Sequence, residues 1–185
     1  MNEVGTVRLY MGSMFSGKTT TLIEILRFRR NQAICFKPSI DNRSGSATTS
    51  SHNGFEYPSM IINQASEIFL HDLNNITLIG IDEASLFLND PTLIPTVRVL
   101  RDMGFDVVIS GLELTSEDEP FGQMGDLACI SDEVYKLRTY CSMCKDRPAS
   151  ISMFTGSEKG LVKIGGESLY KPVCRTCYNG VKDNE

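Results

Sequence analysis

Eight residues, Gly12-Ser13-Met14-Phe15-Ser16-Gly17-Lys18-Thr19, constrain this chain more than any other stretch. They satisfy G-x-x-x-x-G-K-[ST] at every fixed position, the pattern of a phosphate-binding loop. Gly12 and Gly17 let the backbone curl so that successive N–H groups point inward at phosphate oxygens. Lys18 then reaches the β- and γ-phosphates, and the Thr19 hydroxyl is placed to ligate Mg²⁺. The context suits the motif. An apolar stretch, Val7 to Met11, precedes it, and Lys18 to Arg30 follows with Leu22, Ile25, Leu26 and Arg29 at helical spacing. Such a helix offers its positive dipole end to an anion. A glycine turn without a ligand would not need strand, loop and helix in this order.

The rest of the chain extends the same pattern. Ala33 to Lys37 reads as a buried strand halted by Pro38, Ile76 to Ile81 as a central parallel strand, and Phe105 to Ile109 as another. Between them, Asn63 to Leu73 carries Ala65, Ile68, Phe69 and Leu73 at helical spacing. A further helix presents Leu93, Val97, Leu100 and Met103, and Gly104 stops it. Strands alternating with helices predict an α/β fold, a P-loop parallel sheet flanked by helices. Ser44 to Gly54, rich in Ser, Thr, Gly and Asn, reads as an exposed, mobile loop.

From about Tyr140 the character changes. Cys141-x-x-Cys144 and Cys174-x-x-Cys177 enclose 29 residues of short β-like runs and glycines. Two such pairs suit a closed tetrahedral zinc site, whose binding energy would hold a core-poor tail together. The division expected is 1–138, a nucleotide-binding α/β domain, and 139–185, a small zinc-binding lasso domain. A zinc ribbon on nucleic acid is the rival reading. The tail from Thr139 onward has seven Lys/Arg against five Asp/Glu, and the whole chain is at −5 with a pI near 5.1. That balance argues against nucleic acid as a partner. No apolar run suits a membrane span and no secretory pattern is present, so no membrane partner and a cytoplasmic location are expected.

Three polar side chains deserve separate weighing. Asp82, ending an apolar strand, fits the second Mg²⁺ contact of a P-loop protein. Glu83 beside it reads equally as a base for an attacking hydroxyl or as the first-turn acid of the next helix. Arg43 reads as a phosphate contact or as a solvated surface arginine. Cys35 and Cys129 read as packed thiols, and His52 and His71 receive no role.

In combination, GSMFSGKT, then DNR after the second strand, IGIDEA, PFG at Pro120 to Gly122, the two C-x-x-C pairs and YKPVCRTCY resemble the zinc-containing (type II) thymidine kinases. The resemblance runs from Gly12 to Tyr178. It implies phosphorylation of the 5′-hydroxyl of thymidine or deoxyuridine by ATP with Mg²⁺, with zinc structural and the assembly a homotetramer. By position, Glu83 becomes the general base, aided by Lys18 and Arg43. Gly12, Ser13, Met14, Phe15, Ser16, Gly17, Lys18 and Thr19 bind the ATP phosphates with Asp41, Arg43 and Asp82. Leu161, Val162, Lys163, Ile164 and Gly165, with Tyr170, match the lasso loop that closes over the base. Met14, Leu86, Leu112, Ser116, Phe121 and Ile151 match the nucleoside pocket. Ser85, Leu86, Ser116, Ile151 and Met153 depart from the residues usual there. They raise the alternatives of a kinase for another nucleoside and of a non-catalytic nucleotide sensor.

Overall fold

The computed structural model describes residues 3–41, 47–156 and 169–182. Apolar runs form the centre of a six-stranded sheet. In chain order the described elements are β1 (Val7–Met11), α1 (Lys18–Arg29), β2 (Ala33–Pro38), β3 (Thr48–Ser50), β4 (Glu56–Pro58), β5 (Met60–Ile62) and β6 (Leu78–Ile81). They continue with α2 (Leu93–Asp102), β7 (Asp106–Gly111), α3 (Met124–Ile130), β8 (Glu133–Lys136), β9 (Ile151–Phe154), β10 (Tyr170–Val173) and α4 (Arg175–Lys182). The large sheet runs β5-β2-β6-β7-β1-β8, and every neighbouring pair in it is parallel. β3–β4 and β9–β10 are separate antiparallel pairs.

The sheet is covered on both faces, as its unbroken apolar strands require. Leu22 and Leu26 of α1 pack with Cys35, Leu78, Val108 and Tyr10 on one side. The fit is close: a Cβ on Gly80 would lie 3.0 Å from Leu26 Cδ2. On the other side Leu93, Val97 and Leu100 of α2 and Met124 and Leu127 of α3 cover Leu9, Ile79, Ile81, Val107 and Ile109. Truncating one of these leucines to alanine would cost about 2–5 kcal/mol. α2 ends in a Schellman motif. Gly104, at φ +96°, donates to Arg101 O, and Phe105 donates to Leu100 O.

Two local expectations need correction. Asn63 to Leu73 is not an amphipathic α-helix; it holds a 3-10 turn, Ala65–Leu70, started by a Gln64/Glu67 capping box. Asp90 Oδ2 accepts the Ala65 N–H at 2.7 Å and anchors that start, burying Ala65 and Ile68 while Phe69 stays exposed. Within the supposed loop Ser44 to Gly54, Thr48–Ser50 pairs with Glu56–Pro58, and Thr49 is 1% exposed. Residues 44–46 lie outside the described residues. In addition, β5 and β8 complete the sheet edges without an apolar alternation to announce them.

A third, small core lies where the cysteines meet: Cys141, Ile151, Val173, Cys174 and Tyr178, with Leu114 and Met153 against it. Among the described residues, several contacts join it to the sheet side. Tyr178 Oη donates to Ser116 O at 2.8 Å, Arg175 pairs with Asp118 at 3.0 Å, and Met14 N–H donates to Ser152 Oγ at 2.8 Å.

Candidate active site

The C-terminal ends of the parallel strands carry the site, where a doubly wound sheet presents its ligand crevice. β1 runs into the loop at Gly12, whose φ is +150° and whose Cβ, if present, would lie 2.2 Å from Leu137 O. Only glycine passes there. Gly17, at φ +88°, completes the curl, and Thr21 N–H donates to Gly17 O at 2.9 Å as α1 begins. Lys18 is buried and donates to Ser13 O at 2.8 Å, so its ammonium lies folded across the loop. The Ser13 and Ser16 hydroxyls are buried and have no hydrogen-bond partner among the described residues. Orphaned hydroxyls in a loop curled by two glycines fit an anion, because each costs free energy until it is met.

Asp82 follows β6 and is 4% exposed. Its Oδ1 accepts from Thr19 Oγ1 at 3.4 Å and from Ser110 Oγ in a short hydrogen bond, while its N–H continues the ladder to Phe36 O. A carboxylate held beside the motif hydroxyl fits a divalent cation, and Thr19 and Asp82 are the residues that would hold one. Ser110 was not singled out from the sequence. Its signal was a hydroxyl at the end of the apolar strand next in the sheet.

Glu83 leaves the strand direction altogether. Its φ and ψ of 51° and 39° are left-handed, and it heads a 3-10 turn, Ala84–Leu86. For a non-glycine residue that conformation costs on the order of 1–3 kcal/mol, and such strain gathers at functional sites. The turn aims Glu83 into a cavity of about 660 Å³. That cavity is also lined by Met14, Phe15, Gly17, Lys18, Thr19, Leu112 and Tyr170. Ser51, His52 and Asn53 from the β3–β4 hairpin line it too, as do Ser142, Met143, Lys171 and Pro172 from the cysteine-bearing part. His52 lies against Phe15, ring centroids 4.4 Å apart. None of these last seven residues was expected in a site, because an exposed polar stretch and a cysteine knuckle carry no ligand pattern.

The other sequence candidates fall elsewhere. Asp41 is buried beside Lys37 at 3.7 Å. Leu86, Ser116, Phe121 and Ile151 do not line the cavity. Ile151 is wholly inside the small core, and Ser116 presents its carbonyl to Tyr178. Phe121 is buried, with its N–H on Glu113 O. Ser85 is also fully buried: its hydroxyl accepts the Leu112 N–H, and its backbone sits against Gly111 and Gly122. Arg43 and residues 161–165, Leu161 to Gly165, lie outside the described residues.

The Sγ atoms of Cys141, Cys144, Cys174 and Cys177 all lie within 4.8 Å of one another, Cys144 and Cys174 at 3.9 Å. Zn–S bonds of about 2.3 Å at tetrahedral angles put sulfurs about 3.8 Å apart, so the donor set fits zinc. Burial pushes the Cys141 thiol up, but hydrogen bonds from the backbone of Cys174, Cys144 and Met143 outweigh it and lower the value to about 6. Cys177 is pushed up to about 12, first by its hydrogen bond with Cys174. Four crowded sulfurs cannot all be anionic unless a cation sits among them.

These features define a phosphate-loop α/β protein with a candidate tetrathiolate metal centre. The thymidine kinase family model matches residues 5–178. The chain belongs to the thymidine kinase family. Among solved structures, domain III of the Thermotoga maritima replication initiation protein DnaA is similar at 14% identity with a TM-score of 0.41. That match covers 71% of this chain and 54% of the other, so this chain spans about half of that structure's length.

Proposed function

We propose that this chain transfers the γ-phosphoryl group of ATP to the 5′-hydroxyl of thymidine or deoxyuridine. One observation carries the reading. Glu83, Lys18, Thr19 and the apolar residues Met14 and Leu112 share a single cavity whose size suits a small ligand. In this reading the loop N–H groups, the Ser13 and Ser16 hydroxyls and Lys18 hold the ATP phosphates. Glu83 accepts the 5′-hydroxyl proton as that oxygen attacks the γ-phosphorus, and ADP leaves. Mg²⁺, held by Thr19 and Asp82, supplies neutralisation of the phosphate charge when bound. Positioning and electrostatics are what phosphoryl transfer chiefly demands.

The altered pocket positions favour thymidine over a reshaped slot. Ser85 and Ile151 are buried in packing of their own and Ser116 does not line the cavity, which supports an unchanged base pocket. The separate small core supports a division near residue 139, with zinc structural in the second part. A homotetramer in the cytoplasm completes the proposal. No helix among the described residues is long and apolar enough to cross a membrane.

ADP release from ATP·Mg²⁺ across a panel of nucleosides, wild type beside Glu83→Ala, tests the reading. Thymidine or deoxyuridine should give the largest kcat/KM, and the variant should be inactive with every member. Preference for another nucleoside would overturn the substrate, and phosphate-loop binding without turnover would overturn the enzyme.

A further inference from the structure

Lys37 is a lysine that the sequence reading left inside a strand, and it is 1% exposed. Alternation puts it on the same face of β2 as Cys35, the face that the β3–β4 hairpin covers. Thr49 Oγ1 lies 3.8 Å from Cys35 Sγ, and the Lys37 ammonium donates to Thr48 O at 2.9 Å. The same Nζ lies 3.7 Å from Asp41 Oδ2, which is itself buried. An ammonium so far from water is tolerated only when paired and hydrogen-bonded. Lys37 therefore links two pieces of chain: the turn after β2, at Asp41, and Thr48, the first residue of β3. One residue past β3, at Ser51, the hairpin tip begins to line the cavity, and the His52 ring there lies tilted against Phe15 of the phosphate loop.

We infer that Lys37 is a positioning residue for the phosphate-donor side of the site, holding Asp41 and the β3–β4 hairpin in place against the phosphate loop. It touches no reacting atom. Its contribution is to fix the hairpin side of the cavity that Lys18 also lines, and a wall displaced by about 1 Å degrades phosphoryl transfer by up to about a hundredfold. The inference rests on the kinase reading for its kinetic consequence, but not for its structural one.

Lys37→Met removes the charge, and Lys37→Gln keeps a donor for Thr48 O while dropping the charge. The expected result is a KM for MgATP raised by about tenfold to a hundredfold, a nucleoside KM within about twofold of wild type, and substantial recovery in Lys37→Arg. Both Michaelis constants rising together, or neither moving, would overturn the assignment. Amide exchange, measured without any nucleoside, gives an independent reading. In whichever of the Met and Gln variants folds, amides across 47–59 should exchange at least about tenfold faster while Leu78–Ile81 keeps its protection. Unchanged exchange at the hairpin would equally sink the idea. If wild type turns over no nucleoside, the kinase reading fails, and the exchange experiment still decides Lys37.

Discussion

The backbone N–H of Met14, inside the phosphate loop, donates to the hydroxyl of Ser152 on β9 at 2.8 Å, and both residues are buried. The loop that would hold phosphate and the strand that packs beside the cysteines are thus in direct contact. Ser152 stands between Ile151 of the small core and Met153, so any shift of that core reaches the loop through one bond.

Ser152→Ala should cost about 1–3 kcal/mol, because it leaves the Met14 N–H buried without a partner. Thermal unfolding would show the loss as a lower Tm. Steady-state kinetics should show a raised KM for MgATP as the loop loosens. A variant with wild-type Tm would mean that Met14 finds another acceptor.

Glu83 offers a sharper separation of stability from chemistry. Glu83→Gln preserves size and should lower kcat by about 10²–10⁴ with little change in either KM, since only proton acceptance is lost. Glu83→Gly and Glu83→Ala should both be inactive, but the glycine variant should be the more stable by about 1 kcal/mol. Glycine meets φ +51° without the Cβ penalty that alanine keeps. Equal melting temperatures for the two would argue that the left-handed geometry relaxes in the variants.

The cysteine cluster is tested by metal content. One zinc per chain is expected by elemental analysis of protein purified without chelator, and Cys174→Ser should abolish it. Structural zinc sites contribute roughly 10 kcal/mol or more to the folding of their own segments. Chelation should therefore speed amide exchange across β9, β10 and α4 while β6 and β7 stay protected. Since Ser142, Met143 and Tyr170 line the cavity, nucleoside affinity should fall in the same titration. Protein that is zinc-free, stable and fully active would contradict the metal site.

Much of this was legible in the sequence, and the gaps have physical reasons. The phosphate loop and strands β1, β2, β6 and β7 are central, so burial on both faces wrote itself into apolar runs. β8 is an edge strand whose residues are all exposed, and β5 exposes Met60 and Ile61; neither needed the pattern that marks a core strand. Asp82 and Glu83 were readable as a carboxylate pair with different expected roles, but the backbone turn that separates them was not. Alternation along a strand would have set them on opposite faces, whereas a left-handed turn after Asp82 redirects Glu83 into the cavity. Lys37 and His52 were invisible for a different reason. A lysine near the end of a strand reads as solvated until a hairpin, itself spelled in loop-like residues, folds over it.

Cys35 provides a test at alkaline pH. The thiol is fully buried, and burial first, then the Asp82 charge, pushes it far above the ordinary thiol range. In the unfolded chain it titrates normally, near 8.5. Above that value the unfolded state sheds a proton that the folded state keeps, so stability must fall as pH rises, by about 1.4 kcal/mol per pH unit from this one group. The contribution is absent below the unfolded value, where both states hold the proton. Cys35→Val fills the apolar site without a titratable group and should flatten the decline between about pH 9 and 10 relative to wild type. Denaturant unfolding at a series of pH values measures the difference directly. Parallel curves would mean that the thiol ionises in the folded protein. In that case Cys35 would also react with a thiol reagent in the native state, where exposed Cys129 alone of the two is expected to do so.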